Sequence, residues 1–340
     1  MSAGVLNVQN ATALGTTGSG TTVSSGATLQ LEGGITIGAE ALSIVGSGAS
    51  GQTGALVNTG GVNNYGGLIT LTGGTTVGSD SGTLNLTNTG TITGSGSGLT
   101  LAGAANGSIS SIIGTGTGSL TKNGSGTWSL LGANTLTGNV TISAGTLTLA
   151  ATSGSALGAT NAITVNSGGT LLLGANNQIN NAASITLAGG TFAKGNFNEG
   201  GAAAPGVGAL TLAATGSILD FGTGTVGVLE FASFTANGLL LAINNWTGLA
   251  NTVGSGSTDR LIFGSDQSAN LGGFSFSGYS GATQFALGGG YFEIVPTSPV
   301  PEPATYFGGL LTLLALAYTQ RHRLKRQKLT LSLRKTDTAP

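Results

Sequence analysis

Val165-Asn-Ser-Gly-Gly-Thr-Leu-Leu-Leu173 repeats a phrase that stands earlier in the chain as Val23-Ser-Ser-Gly-Ala-Thr-Leu-Gln-Leu31, and Ile142-Ser-Ala-Gly-Thr-Leu-Thr-Leu149 is the same phrase one residue shorter. Within each copy apolar side chains stand two apart, with Thr, Ser or Asn between them. That is the period of a strand with one buried face. Leu29 and Leu31, or Leu147 and Leu149, are therefore expected to point inward. Gly145, Gly168 and Gly189 are separated by 23 and 21 residues, which is the length of one coil of a solenoid built from short strands. The phrase predicts an all-β fold, a right-handed parallel β-helix over residues 1–215.

Composition agrees with that reading outward along the chain. Of 340 residues 64 are Gly, and only 6% are charged and 5% aromatic, far from the balance of an average globular domain. Gly supplies the left-handed turns and close backbone approaches that corners require. Thr favours the extended chain, and stacked Thr and Asn can hydrogen-bond between coils. Proline is absent before Pro205, as expected where backbone N–H groups are needed in ladders. With no cysteine, neither a disulfide framework nor a thiolate metal site can form.

The sequence changes near residue 216. Eight of the eleven Phe residues lie between there and Glu293, and this segment, 216–295, is expected to cap the coil as an aromatic-rich β module that covers its unpaired strand edges. Pro296, Pro299, Pro301 and Pro303 mark a stiff linker over 296–303. Residues 304–320 read as a single transmembrane helix. The uncharged run from Ala304 to Thr319 is 16 residues, about 24 Å as a helix against a hydrocarbon core of roughly 30 Å, so it spans only with help from flanking cations. The basic tail follows over 321–340, with Arg321, Arg323, Lys325, Arg326 and Lys328 next to the helix. Seven of the ten Lys and Arg residues lie in this tail, whereas ten of the eleven acids precede it. A basic run beside an apolar segment points to the inner face of a membrane rather than to nucleic acid, with the body outside. Met1-Ser-Ala-Gly-Val-Leu-Asn7 has neither a basic nor an apolar leader region, so an export signal is expected upstream of it.

Two stretches carry family resemblances. Leu120-Thr-Lys-Asn-Gly-Ser-Gly-Thr-Trp128, continuing through Asn134-Thr-Leu-Thr-Gly138 to Gly145-Thr-Leu147, resembles the autotransporter-associated β-strand repeat, with its Thr-Lys-x-Gly-x-Gly-Thr opening, Asn-Thr-x-Thr-Gly middle and Gly-Thr-Leu close. Trp128 stands where that family usually has Leu, and Leu136 where it has Tyr. The resemblance implies a parallel β-helix displayed outside the cell. Val300-Pro301-Glu302-Pro303, followed by the apolar segment and basic cluster, resembles the PEP-CTERM sorting signal. That resemblance implies an exosortase-type processing enzyme as partner, an inner-membrane precursor, and a product at the cell surface or in the extracellular matrix of a Gram-negative bacterium.

No catalytic residue, cofactor or metal site is expected from the sequence. His322 is the only histidine and lies in the basic tail, away from the body's acids and hydroxyls. Gly222-Thr-Gly-Thr-Val-Gly227 fits a dinucleotide-binding spacing, but Ser217 to Phe221 before it and Val228-Leu-Glu-Phe-Ala after it both read as strands, which leaves no helix N-terminus for a phosphate. The charges of residues 1–215, which are Glu32, Glu40, Asp80, Lys122, Lys194 and Glu199, are too dispersed to suggest a polysaccharide lyase or hydrolase. Asp259-Arg260 and Asp266 form the densest charge group, read as a hairpin with a local ion pair. The function expected is a structural or adhesive surface protein, with extracellular polysaccharide as an eligible partner. The alternatives are a β-helix polysaccharide lyase or hydrolase and an autotransporter passenger fragment.

Overall fold

The computed structural model describes residues 1–159, 162–201, 206–300, 311 and 313–325. These fall into two units, Met1–Ser298 and Pro299–Pro340. The first is a β-solenoid of about ten turns. Among its described residues, one sheet holds eleven strands, each paired with its neighbours, from Thr36–Ile37 at one end to Phe274–Phe276 at the other. Among the described residues its strands pair in parallel, for example Thr127–Leu130 on Gly145–Leu149 and that strand on Gly169–Leu173. The second sheet has eighteen strands and covers two sides of the early coils. The long strand Ile69–Ser79 joins those sides. Its first half pairs with Leu42–Gly46 and its second half with Leu56–Gly60, with the register shifting between Ile44 and Gly46.

The core follows from the period of two. Leu29, Leu31, Leu147 and Leu149 are wholly buried, as the repeated phrase requires, and equivalent side chains stack from coil to coil: Leu147 sits opposite Leu171, and Leu149 opposite Leu173. Neighbouring strands lie about 4.8 Å apart, so each inward residue rests on its counterpart one coil away. The largest ring in the core, Trp128, has a small neighbour in its column. Leu84, Gly107, Trp128 and Leu147 form this column. A Cβ on Gly107 would lie 2.6 Å from three carbons of the Trp128 ring. The indole is fully buried and its N–H donates to the Ala102 carbonyl at 3.1 Å, so the exchange of Leu for Trp in the repeat is accommodated by the glycine beneath it.

Outward positions are equally ordered. On the eleven-stranded sheet, Asn64 donates to Thr36 at 3.0 Å, Asn85 to Asn64 at 3.0 Å, and Ser108 to Asn85 at 2.8 Å, a side-chain ladder across four coils. On the eighteen-stranded sheet, one outward position holds threonine on eight consecutive coils. The column starts at Thr76 and runs in register through Thr100, Thr121, Thr141, Thr164, Thr186 and Thr211 to Thr235.

The aromatic-rich segment departs from expectation. Coiling does not stop at residue 215: Val228–Thr235 pairs in parallel with Val207–Ala214, Arg260–Phe263 with Val228–Thr235, and Phe274–Phe276 with Leu241–Asn244. Phenylalanines take the inward positions that leucines hold earlier, Phe231 stacking on Phe263 with centroids 5.7 Å apart, and Trp246 meeting Phe221 and Phe276 edge-on at 5.1 Å each. What closes the coil is the hairpin Tyr279–Gly288 and Tyr291–Pro299. Its second arm runs antiparallel to Arg260–Phe263, and its first arm lies against Phe274–Phe276. The expected linker is shortened for the same reason. Pro296 and Pro299 belong to this last strand, Pro296 is buried, and its carbonyl accepts the Asn251 N–H at 2.9 Å. The ladder to Arg260–Phe263 covers Phe292 to Ile294, so Pro296 lies beyond it and its missing N–H breaks none of those bonds.

In the second unit, residues 313–325 are helical. The helix expected over 304–320 thus runs past 320 and takes in Arg321, Arg323 and Lys325. Among the described residues, no helix is long and apolar enough to cross a membrane. Residues 304–310 and 312 of the expected span lie outside the described residues.

Gly107→Val is expected to destabilise the solenoid by about 1–3 kcal/mol through overpacking, measured by urea denaturation. Adding Trp128→Leu should recover part of the loss, because the two residues share one column.

Candidate functional site

The polar side chains that the sequence scatters are gathered by the coil into a buried spine. Asn134, the first residue of the Asn-Thr-x-Thr-Gly stretch, accepts the Ile113 N–H at 2.7 Å and donates to the Ala156 carbonyl at 2.8 Å, so one amide ties together three coils. Gln178 accepts the N–H groups of Ala151 at 2.8 Å and Ala156 at 3.3 Å. Glu199 then accepts those of Gln178 at 2.8 Å and Ile179 at 3.3 Å. Corner segments cannot use the regular ladder, and these side chains satisfy their backbone groups instead.

The lysine of the Thr-Lys-x-Gly-x-Gly-Thr stretch acts in the same way with opposite polarity. Lys122 sits in register between Leu101 and Ile142 in an inward column and is fully buried. Its ammonium donates to the carbonyls of Gly124 at 2.7 Å and Ala144 at 3.1 Å. Gly145 closes this corner with φ +65°, and a Cβ there would lie 2.5 Å from the carbonyl oxygens of Gly124 and Gly126. Lys194 repeats the arrangement three coils on, donating to Thr225 at 2.7 Å and Gly195 at 3.2 Å, with Asp259 3.8 Å away and equally buried. Burial lowers the pKa of Lys122 to about 8. Burial also lowers that of Lys194, and the charge of Asp259 opposes the shift.

The Asp259-Arg260-Asp266 group is not a local ion pair. Asp259 turns in, accepting the Gly227 N–H at 2.9 Å and the Thr247 hydroxyl at 2.6 Å. Arg260 reaches the last strand and holds one Glu293 oxygen from both Nε, at 3.1 Å, and Nη2, at 2.9 Å. Asp266 stays on the surface, accepting from Gln284 at 2.7 Å. The partners lie on other coils because outward neighbours are set by register, not by sequence distance. Glu230 stands one coil before Ile262, next to this group. It is buried, its Oε1 has no hydrogen-bond partner among the described residues, and it borders a hollow of about 220 Å³ with Gly206, Gly264 and Tyr291. Burial raises its pKa against the N–H groups of Gly201 and Gly206 and the charge of Arg260. Among the described residues, no three His, Asp or Glu side chains are placed to hold a metal ion.

The residues expected to form a C-terminal sorting signal are described only in part. Val300 is exposed, and Arg321, Arg323 and Lys325 lie exposed on the helix, where the rings of Tyr318 and His322 stand 4.5 Å apart. Pro301, Glu302, Pro303, Arg326 and Lys328 lie outside the described residues. Elsewhere on the solenoid, an open depression of about 500 Å³ is lined by Thr53, Asp80, Asn123 and Ser125. The strand on each side of Gly222–Gly227 matches the sequence reading, Ile218–Asp220 before it and Val228–Thr235 after it.

Against known proteins, the passenger-associated transport repeat family matches residues 120–149. This stretch contains Lys122, Asn134 and Gly145, so the matching repeat coincides with the corner devices described above. No curated protein and no solved structure matches the chain.

The buried ionisable groups should make stability depend on pH in two opposite senses. Burial raises Glu199 from its usual 4.5 to about 7; its contribution is full below the lower value and lost as pH rises through the higher. The melting temperature should therefore fall as pH is raised from about 4.5 through about 7, and Glu199→Gln should flatten that slope. For Lys122 the sense reverses: its contribution is present above 10.5 and lost as pH falls through about 8. Lys122→Met should remove the rise in melting temperature over that alkaline range.

Proposed function

We propose that this chain is an exported structural or adhesive protein of the bacterial surface or extracellular matrix, a β-solenoid sorted and cut at its C-terminus by an exosortase-type enzyme. The observation that carries the reading is what the solenoid does with its scarce polar groups. Lys122, Asn134, Gln178, Glu199, Lys194 and Asp259 are all buried and engaged with corner backbone or with one another, so these polar side chains serve the architecture. The passenger-type repeat at 120–149 fits an exported, passenger-like β-helix. The sorting reading rests on Val300, Pro301, Glu302 and Pro303 standing ahead of the apolar segment and its basic cluster. Extracellular polysaccharide is the partner proposed for the open depression near Asp80 and Asn123.

A second reading, a passenger delivered by its own outer-membrane barrel, is favoured by the family match itself. The two differ in processing. Cell fractionation with intact-mass measurement should find the body outside the cell, ending next to residues 300–303. Replacing Pro301, Glu302 and Pro303 with alanine should leave uncut protein in the inner-membrane fraction. An exported product with no cut near the motif would favour the passenger reading, and uncut chain in the cytoplasm would overturn both. Incubating the purified protein with extracellular polysaccharides should release no new reducing ends or unsaturated sugars.

A further inference from the structure

The threonine column from Thr76 to Thr235 is an outward array that no buried contact explains. Its eight members are paired coil to coil without interruption, so their side chains repeat every 4.7–4.9 Å over about 34 Å. Threonine is stiff at χ1, and a run of identical backbones gives each hydroxyl and each methyl a fixed row. On the four coils from Thr121 to Thr186, the positions two residues to either side hold only Ser, Asn and Ala, and by alternation they share the face. This strip carries no charge and no aromatic ring.

The hydroxyls of the column are also unclaimed. The side chains of Asn64, Asn85 and Ser108 on the other sheet bond to one another, whereas none of the eight column hydroxyls has a hydrogen-bond partner among the described residues. They must bond water, and the sheet dictates the spacing of that water. Protein interfaces are enriched in aromatic and Arg anchors, and this strip offers none. What it does offer is a straight lattice of alternating donor-acceptor groups and methyls with a single repeat, which suits a partner that is itself a lattice of water.

We infer that this face binds ice. The threonine hydroxyls hold a row of water molecules at the sheet repeat, close to the spacing of oxygens along a principal axis of the ice lattice, and the methyls between them hold that row in place. Ice grown onto this row is held by the whole column at once, so the attachment is multivalent and slow to release. The surface between attached molecules can then advance only by bulging, which lowers its freezing point relative to its melting point. The inference is independent of how the C-terminus is processed.

The test is the gap between melting and freezing of a single ice crystal in a solution of the full chain, together with the crystal's shape. The expected result is a measurable gap and faceted crystals, both lost in Thr141→Lys/Thr164→Lys, which places two long cations in the middle of the strip. Thr141→Ser/Thr164→Ser keeps the hydroxyls and the fold while removing two methyls, and should reduce the gap. Thr148→Lys, on the eleven-stranded sheet, should leave it intact. Circular dichroism and melting temperature verify that each variant is folded. Absence of a gap for the unaltered chain, or an equal loss on Thr148→Lys, would overturn the inference.

Discussion

Everything in this molecule depends on one constraint: in a parallel in-register coil, each residue sits about 4.8 Å from its equivalent in the coil above and the coil below. A side chain is therefore chosen against two vertical neighbours before any other contact is considered. Leucine on leucine buries apolar surface, and asparagine on asparagine exchanges a hydrogen bond. Like charges in such a column would repel along its length, and the 6% charge content of the chain follows from that. Glycine beneath tryptophan, as at Gly107 and Trp128, is the same rule applied to volume.

The exceptions show how costly a charge is in this setting and how it is managed. Lys122 and Lys194 are cations in columns built for leucine, and each is surrounded by corner carbonyls whose lone pairs the ladder leaves over. Glu199 does the converse, collecting N–H groups. A buried charge with a complete set of hydrogen bonds can be retained where an isolated one could not. These groups sit at corners, where the backbone direction changes and ordinary pairing fails, so a single side chain there fixes the relative position of two or three coils.

How much of this was legible beforehand follows from the same geometry. The inward leucines of the phrase at 23–31 and 142–149, and the coil length read from Gly145, Gly168 and Gly189, depend only on local period, and they stand as read. The repeat at 120–147 was recognisable because its glycines mark obligatory corners. Partnerships between coils were not legible: Asp259 reaches Lys194, and Arg260 reaches Glu293, across 65 and 33 positions, and those separations depend on the summed lengths of the intervening coils. The aromatic segment read as a separate cap because composition reports side-chain size but not pairing direction, and Phe231 pairs just as Leu229 does. Pro296 read as linker because a sequence does not state where the ladder between two strands stops, and here it ends at Ile294.

The reversal of direction at Tyr279–Gly288 and Tyr291–Pro299 reaches beyond closing the core. A parallel coil is an open-ended template, and any chain of matching period could continue it, including another molecule of the same kind. The final strand runs against its predecessor and carries Pro296 and Pro299, which have no N–H to offer, so an incoming coil would find both the polarity and the donor pattern wrong. The hairpin thus works against end-to-end stacking of a further coil at this end of the solenoid.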